Sequence, residues 1–270
     1  MSSKSGVLAL QYEPVINRPE KNFEKIESLI SFYNDKRLDI VVLPEFFSTG
    51  ISFGGFAEFA QGETNSRILD FVSELARKYN TNICAGTVAE KEGDKFYNTS
   101  YLIGRNGEIK GKYRKIHLFS CEEGGEDEFF SEGKETVVIE TDFAKIGLSI
   151  CFDMEFPLLY KDLIKKGAEL ILCPNALCVS MKESKRLYGI KKEEMKACAI
   201  LRASENFVYF AAASLKGKLG SGLISCGDSL IVSPEAEIIT IANKDNDAVF
   251  AEIDLDLVRK YKESSVCKID

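Results

Sequence analysis

Short apolar runs alternate with longer amphipathic stretches along almost the whole chain. The run 7–12 has the density of a buried strand. Residues 19–34 read as a helix, because Phe23, Ile26, Leu29, Ile30 and Tyr33 recur at helical spacing, with Asn17 near its start. Residues 40–43 form a second strand, and 65–79 a second helix with Ile68, Leu69, Val72, Leu75 and Ala76 on one face. Strands follow at 82–87 and 97–103, and Asn106-Gly107 is a hairpin turn signal leading into 109–113. The second half repeats the rhythm. Strands are expected at 136–140 and 145–150, then a helix at 157–166 with Pro157 at its first position and Gly167 after its end. A strand at 170–173 precedes a helix that starts somewhere after Met181 and runs to about Asn206. Strands at 207–213, 228–232, 237–241 and 249–253 complete the series, with a helical tail from Asp256. This βαβ rhythm mixed with hairpins predicts an α/β sandwich, sheets inside and helices outside. No linker, low-complexity tract or repeat interrupts it, so residues 1–270 read as one domain.

Composition narrows the function. A chain of 270 residues with 45% hydrophobic and 29% charged residues can bury a sizeable core. Its net charge of -7 argues against nucleic acid or an anionic membrane as a partner. No apolar run reaches the roughly 18 residues of a membrane span. The start, Met1 to Gly6, has no apolar signal core, so a cytoplasmic location is expected. Most of the eight cysteines, Cys84, Cys121, Cys151, Cys173, Cys178, Cys198, Cys226 and Cys267, sit in apolar runs and read as small buried hydrophobes in a reducing compartment. There is no CxxC pair, and Cys173 and Cys178 have no histidine nearby, so no metal site is expected. His117 is the single histidine. Any Ser-His-Asp or Cys-His pairing would have to use it, and its ordinary reading is a hydrogen-bonded structural residue beside a site.

Three strand-like runs end on complementary groups. The run 145–150 ends on Cys151, 39–44 on Glu45 and 109–114 on Lys115. Each has an ordinary reading when taken alone: a core thiol, a solvated strand end, and one member of a basic surface stretch with Lys110, Lys112 and Arg114. Together they supply a thiol nucleophile, a base and a cation for a developing oxyanion.

The segments Leu43-Pro44-Glu45-Phe46-Phe47, Tyr113-Arg114-Lys115-Ile116-His117-Leu118-Phe119 and Ile150-Cys151-Phe152-Asp153-Met154-Glu155-Phe156-Pro157 resemble the signature blocks of the nitrilase superfamily, the carbon-nitrogen hydrolases, in order and interval. Runs 167–171, 202–209 and 227–234 extend the resemblance from Val7 to about Asp254. It implies a four-layer αββα sandwich and a homodimer, with helices of the second half and the tail from about residue 256 at its interface. It also implies a cofactor-independent hydrolase of non-peptide C–N bonds in a small amide, of the amidase-like branch, with an N-carbamoyl amine or amino-acid hydrolase as the alternative. A non-catalytic binding subunit and a thiol redox sensor are the alternatives from other classes. By motif, Glu45 is the general base, Cys151 the nucleophile that forms a thioester, and Lys115 the oxyanion partner with the backbone N–H of Phe152. The family's second glutamate falls on Glu126 by its spacing to Gly133, with Glu128 as rival. The chain departs from the pattern in having Phe152 where tyrosine is common, Glu155 where arginine is common, Leu158 where glutamate is common, and no tryptophan. The loops 48–63, 120–133 and 176–189 are expected to shape the pocket, and Glu155 removes one anchor for an acidic substrate, which either favours an amine-bearing one or leaves Glu155 paired in a structural salt bridge.

Overall fold

Side-chain alternation along the first strand sorts the molecule into layers. Lys4–Leu10 pairs parallel with Ile40–Val42 and antiparallel with Ala248–Asp254. Val7 and Ala9 point into a core shared with a second sheet, while Leu8 and Leu10 point into one shared with the helices Pro19–Phe32 and Arg67–Tyr79. Ile40 and Val42 divide from Val41 in the same way. Both faces of these strands are buried, so the segments read as continuous apolar runs. The computed structural model describes residues 4–52, 55–121, 124–183 and 185–264. Cys267, Glu122, Glu123, Phe53, Gly54 and Ser184, named above singly or within a loop or run, lie outside the described residues.

The first sheet has the order Ala248–Asp254, Lys4–Leu10, Ile40–Val42, Asn82–Cys84, Lys95–Ile103, Val88–Glu92, with Ile109–Arg114 also paired to Lys95–Ile103. The second has the order Ile238–Ile241, Leu230–Val232, Tyr209–Ser214, Leu170–Asn175, Lys145–Leu148, Val137–Glu140. Its three central strands are parallel. The helices Pro157–Lys165 and Lys185–Ser204 cover it, burying Leu159, Leu163, Met195 and Ala199. The result is the expected α/β sandwich of helices, sheet, sheet and helices.

Several boundaries differ from the sequence reading for local reasons. The second helix begins at Arg67 because Ser66 Oγ caps it, accepting from Leu69 N at 3.1 Å. The strand expected through Ile150 stops at Leu148, because the Asp153 carboxylate accepts from Ile150 N at 2.9 Å and the chain turns into the 3-10 segment Cys151–Glu155. The strand expected to end at Cys173 runs to Asn175, through a proline that a propensity reading takes as a stop. A small sheet of Cys178–Ser180, Leu223–Cys226 and Lys216–Gly220 was not foreseen, nor was the charged strand Val88–Glu92. No described helix is long and apolar enough to cross a membrane.

Candidate active site

The ends of four strands converge. Glu45 follows Ile40–Val42, Lys115 follows Ile109–Arg114, Cys151 follows Lys145–Leu148, and Asn175 closes Leu170–Asn175. Three of these strands are parallel members of their sheets, so their carboxyl ends present side chains at one edge, where α/β sheets hold ligands.

Close backbone approaches fix two of the termini. Gly86 sits at φ +46° with its Cα facing Pro44 O, and a Cβ there would lie 2.0 Å from that oxygen. Phe46 N donates to Thr87 Oγ1 at 3.0 Å, which ties the turn carrying Glu45 to the neighbouring strand end. Lys115 is clamped on both sides: its N–H donates to Asn98 O at 2.9 Å, and its carbonyl accepts from Gly133 N at 2.7 Å. A Cβ at Gly133 would lie 2.0 Å from Arg114 O, so only glycine permits this clamp.

Cys151 occupies the left-handed region, with φ 45°. A non-glycine residue there carries strain that the surroundings must enforce. Asp153 does so. Its fully buried carboxylate accepts from Ile150 N at 2.9 Å, Tyr113 OH at 2.7 Å and His117 N at 3.1 Å, and pairs with His117 Nδ1 at 2.8 Å. The His117 ring stacks on Phe156 with 3.6 Å between centroids. His117 thus makes its hydrogen bond in the turn behind the thiol. The thiol itself donates to Asn175 Oδ1 at 3.3 Å, and that oxygen also accepts from Leu177 N at 2.5 Å.

The Lys115 ammonium, 1% exposed, lies 2.8 Å from Glu45 Oε1 and 2.5 Å from Glu126 Oε2. Asn98 Nδ2 donates to both carboxylates, to Glu45 Oε1 at 2.9 Å and Glu126 Oε1 at 2.6 Å. Phe119 N supplies a further bond to Glu126 Oε2 at 2.8 Å. Of the two glutamates weighed from spacing, Glu126 is therefore brought to Lys115, while Glu128 is exposed. Asn98 and Asn175 escaped the sequence reading. The available signal was an amide side chain inside a strand with both faces buried, which is weak beside the apolar pattern around it.

Charge in this cluster is set by burial and by pairing. Burial opposes the charge on Lys115, but Glu126 and Glu45 outweigh it and hold the ammonium well above the usual lysine range. Burial raises the Glu126 carboxyl, with Lys115 pulling it down and Glu45 pushing it up. Burial and then Glu45 push the Cys151 thiol well above its ordinary range, against the pull of Lys115. Burial thus favours the neutral thiol of Cys151, while pairing with two carboxylates favours the charged form of Lys115.

Glu45, Lys115, Glu126, Cys151 and Phe152 line one cavity of about 30 Å³, walled by Phe46, Ile51, Phe119, Leu177 and Leu223. Two wall positions, Cys178 and Leu223, come from the small unforeseen sheet. Glu155 is exposed and makes no ion pair among the described residues, and Leu158 is 81% exposed. Cys84, Cys173, Cys178 and Cys226 are buried, as their apolar context suggested.

Comparison with known proteins accords with this architecture. The sequence profile of the carbon-nitrogen hydrolase family matches residues 7–263. A protein from Pyrococcus abyssi described as a nitrilase is 39% identical over 95% of this chain and 92% of its own length. A 2-oxoglutaramate amidase from Bacillus subtilis is 30% identical over 97% of this chain and 95% of its own. The crystal structure of Nit3 from Saccharomyces cerevisiae, a branch 10 member of the nitrilase superfamily, superposes with a TM-score of 0.85 at 26% identity, covering 98% of this chain and 95% of that one. The chain belongs to the carbon-nitrogen hydrolase family of the nitrilase superfamily, hydrolases of C–N bonds other than peptide bonds.

Proposed function

We propose that this protein hydrolyses a small amide through a thioester on Cys151, with Glu45 as base and Lys115 as oxyanion partner. The observation that carries the reading is the buried Lys115 ammonium, held between Glu45 and Glu126 in the cavity that also contains the thiol. A resting thiol cannot attack by itself, so its proton must pass to a base as the C–S bond forms, and Glu45 lines the same cavity. Two of the three ammonium hydrogens of Lys115 are engaged by carboxylates, which leaves one for the carbonyl oxygen. The Phe152 N–H stands in the first turn of Cys151–Glu155, where backbone donors lack intrahelical acceptors, and serves as the second oxyanion donor. Collapse of the tetrahedral adduct expels ammonia or an amine, which takes the proton from Glu45. Water deprotonated by Glu45 then attacks the thioester, the carboxylic acid leaves, and the proton returns to sulfur. Glu126 and Asn98 hold Lys115 and Glu45 in register.

Similarity to the Pyrococcus abyssi nitrilase favours a second reading, in which the same thiol attacks a nitrile carbon. Ammonia release from paired amides and nitriles separates the two, and mass spectrometry of protein quenched during turnover detects the acyl adduct on Cys151. Both signals should vanish in Cys151→Ala; turnover retained in that variant refutes the mechanism. We also propose a homodimer. The exposed Leu158, Ile190 and Leu201, on the helices Pro157–Lys165 and Lys185–Ser204, support it. Light scattering that reports a monomer across a wide concentration range would refute it.

A further inference from the structure

The charges around the thiol constrain what can enter. Lys115 is the sole cation lining the cavity among the described residues, and its pairing with Glu45 and Glu126 leaves it a single N–H for the reacting oxygen. The rest of the wall is apolar: Phe46, Ile51, Phe119, Phe152, Leu177 and Leu223. A second cavity of about 20 Å³ shares Cys151, Phe152 and Leu177 with the first and adds Glu155 and Glu194. Lys191, the nearby countercharge, is already 2.6 Å from Glu194 Oε2. Although Glu155 is exposed as a residue, partial burial of its carboxyl raises it, with Lys191 pulling it down and Glu194 pushing it up. The internal positions outside the described residues, Phe53, Gly54, Glu122, Glu123 and Ser184, include no basic residue either.

We infer that this site discriminates against amides whose acyl group carries a second carboxylate. The inference rests on the amidase reading and adds the charge of the substrate to it. A carboxylate entering the first cavity would shed water, find no free cation and meet Glu45 and Glu126, and one entering the second would meet Glu155 and Glu194. An ammonium meets no such penalty, because Glu45, Glu126 and Glu194 are engaged by Lys115, Asn98 and Lys191 but Glu155 makes no ion pair among the described residues. A short alkyl chain loses nothing on desolvation and gains contact with the apolar wall.

The test uses the full chain and three amides of matched length: valeramide, succinamate and 4-aminobutanamide. Initial rates of ammonia release give kcat/KM. Protection of Cys151 from methyl methanethiosulfonate, read by mass spectrometry, reports occupancy without turnover. Valeramide and 4-aminobutanamide should each exceed succinamate at least tenfold in kcat/KM and should protect Cys151 where it does not. Succinamate matching either of them in rate or in protection overturns the inference. Protection by valeramide or 4-aminobutanamide but not by succinamate, with no ammonia from any of the three, upholds the exclusion of carboxylates and ends the amidase reading. Protection by none ends both. In Phe119→Arg, which places a cation on the wall, the succinamate-to-valeramide ratio should rise at least tenfold, and an unchanged ratio counts against the charge argument.

Discussion

Asn98→Leu offers a test of how this cluster is held together. The substitution nearly conserves volume but removes the amide that donates to Glu45 Oε1 at 2.9 Å and to Glu126 Oε1 at 2.6 Å. A hydrogen bond to an ionised group contributes about 1.5–3 kcal/mol, so two amount to about 3–6 kcal/mol. The same substitution removes Asn98 Oδ1, which is buried without a partner and costs about 1–3 kcal/mol. The balance is a loss of about 3 kcal/mol, measurable by urea unfolding. Kinetics separate this from a merely structural role. Loss of a donor favours the neutral form of a carboxyl, so the Glu126 carboxyl, already raised by burial, should rise further. A protonated Glu126 holds Lys115 less firmly, and kcat/KM on a turned-over amide should fall about ten- to a hundredfold near neutral pH, each factor of ten being about 1.4 kcal/mol. The acid limb of the pH profile should move to higher pH. A destabilised variant whose pH profile superposes on that of the wild type would refute the reasoning, because Asn98 would then support the fold and not the charge state of the cluster.

Lys115→Met should abolish turnover and destabilise the protein by about 3–5 kcal/mol, since it strands two buried carboxylates; an unfolding midpoint close to wild type would contradict this. Asp153→Asn cannot serve all four donors around the carboxylate, so stability should drop by about 2 kcal/mol and alkylation of Cys151 should change in rate, both of which calorimetry and mass spectrometry can follow. Away from the site, burial would raise the Glu90 carboxyl, but hydrogen bonds from Arg114, Lys112 and Thr99 outweigh it and bring the pKa from 4.5 down to about 2. The folded value lies below the unfolded one, so this contribution is complete above about pH 4.5 and is lost as pH falls toward 2. Glu90→Gln should therefore flatten the pH dependence of stability in that window, and an unchanged slope would show that Glu90 does not supply it.

Much of this molecule was determined by local sequence. Continuous apolar runs place Lys4–Leu10 and Ile40–Val42, and helical periodicity places Pro19–Phe32 and Arg67–Tyr79, within a few residues, because the strands are buried on both faces and each helix buries the face its pattern defines. Glu45, Lys115 and Cys151 were legible as candidates through the blocks that contain them. Other features were decided only by tertiary structure. Cys178–Ser180 and Leu223–Cys226 are weak strands whose pairing is non-local, so no short window announces them, yet they wall the cavity. Spacing to Gly133 favours Glu126 but leaves Glu128 as a rival; the bonds from Phe119 N and Asn98 Nδ2 bring Glu126 inward, while Glu128 stays exposed. The charge of the site is likewise a property of the fold. Sequence states that a lysine, two glutamates and a thiol exist, but their protonation follows from burial and from distances under 3 Å between residues up to 70 positions apart.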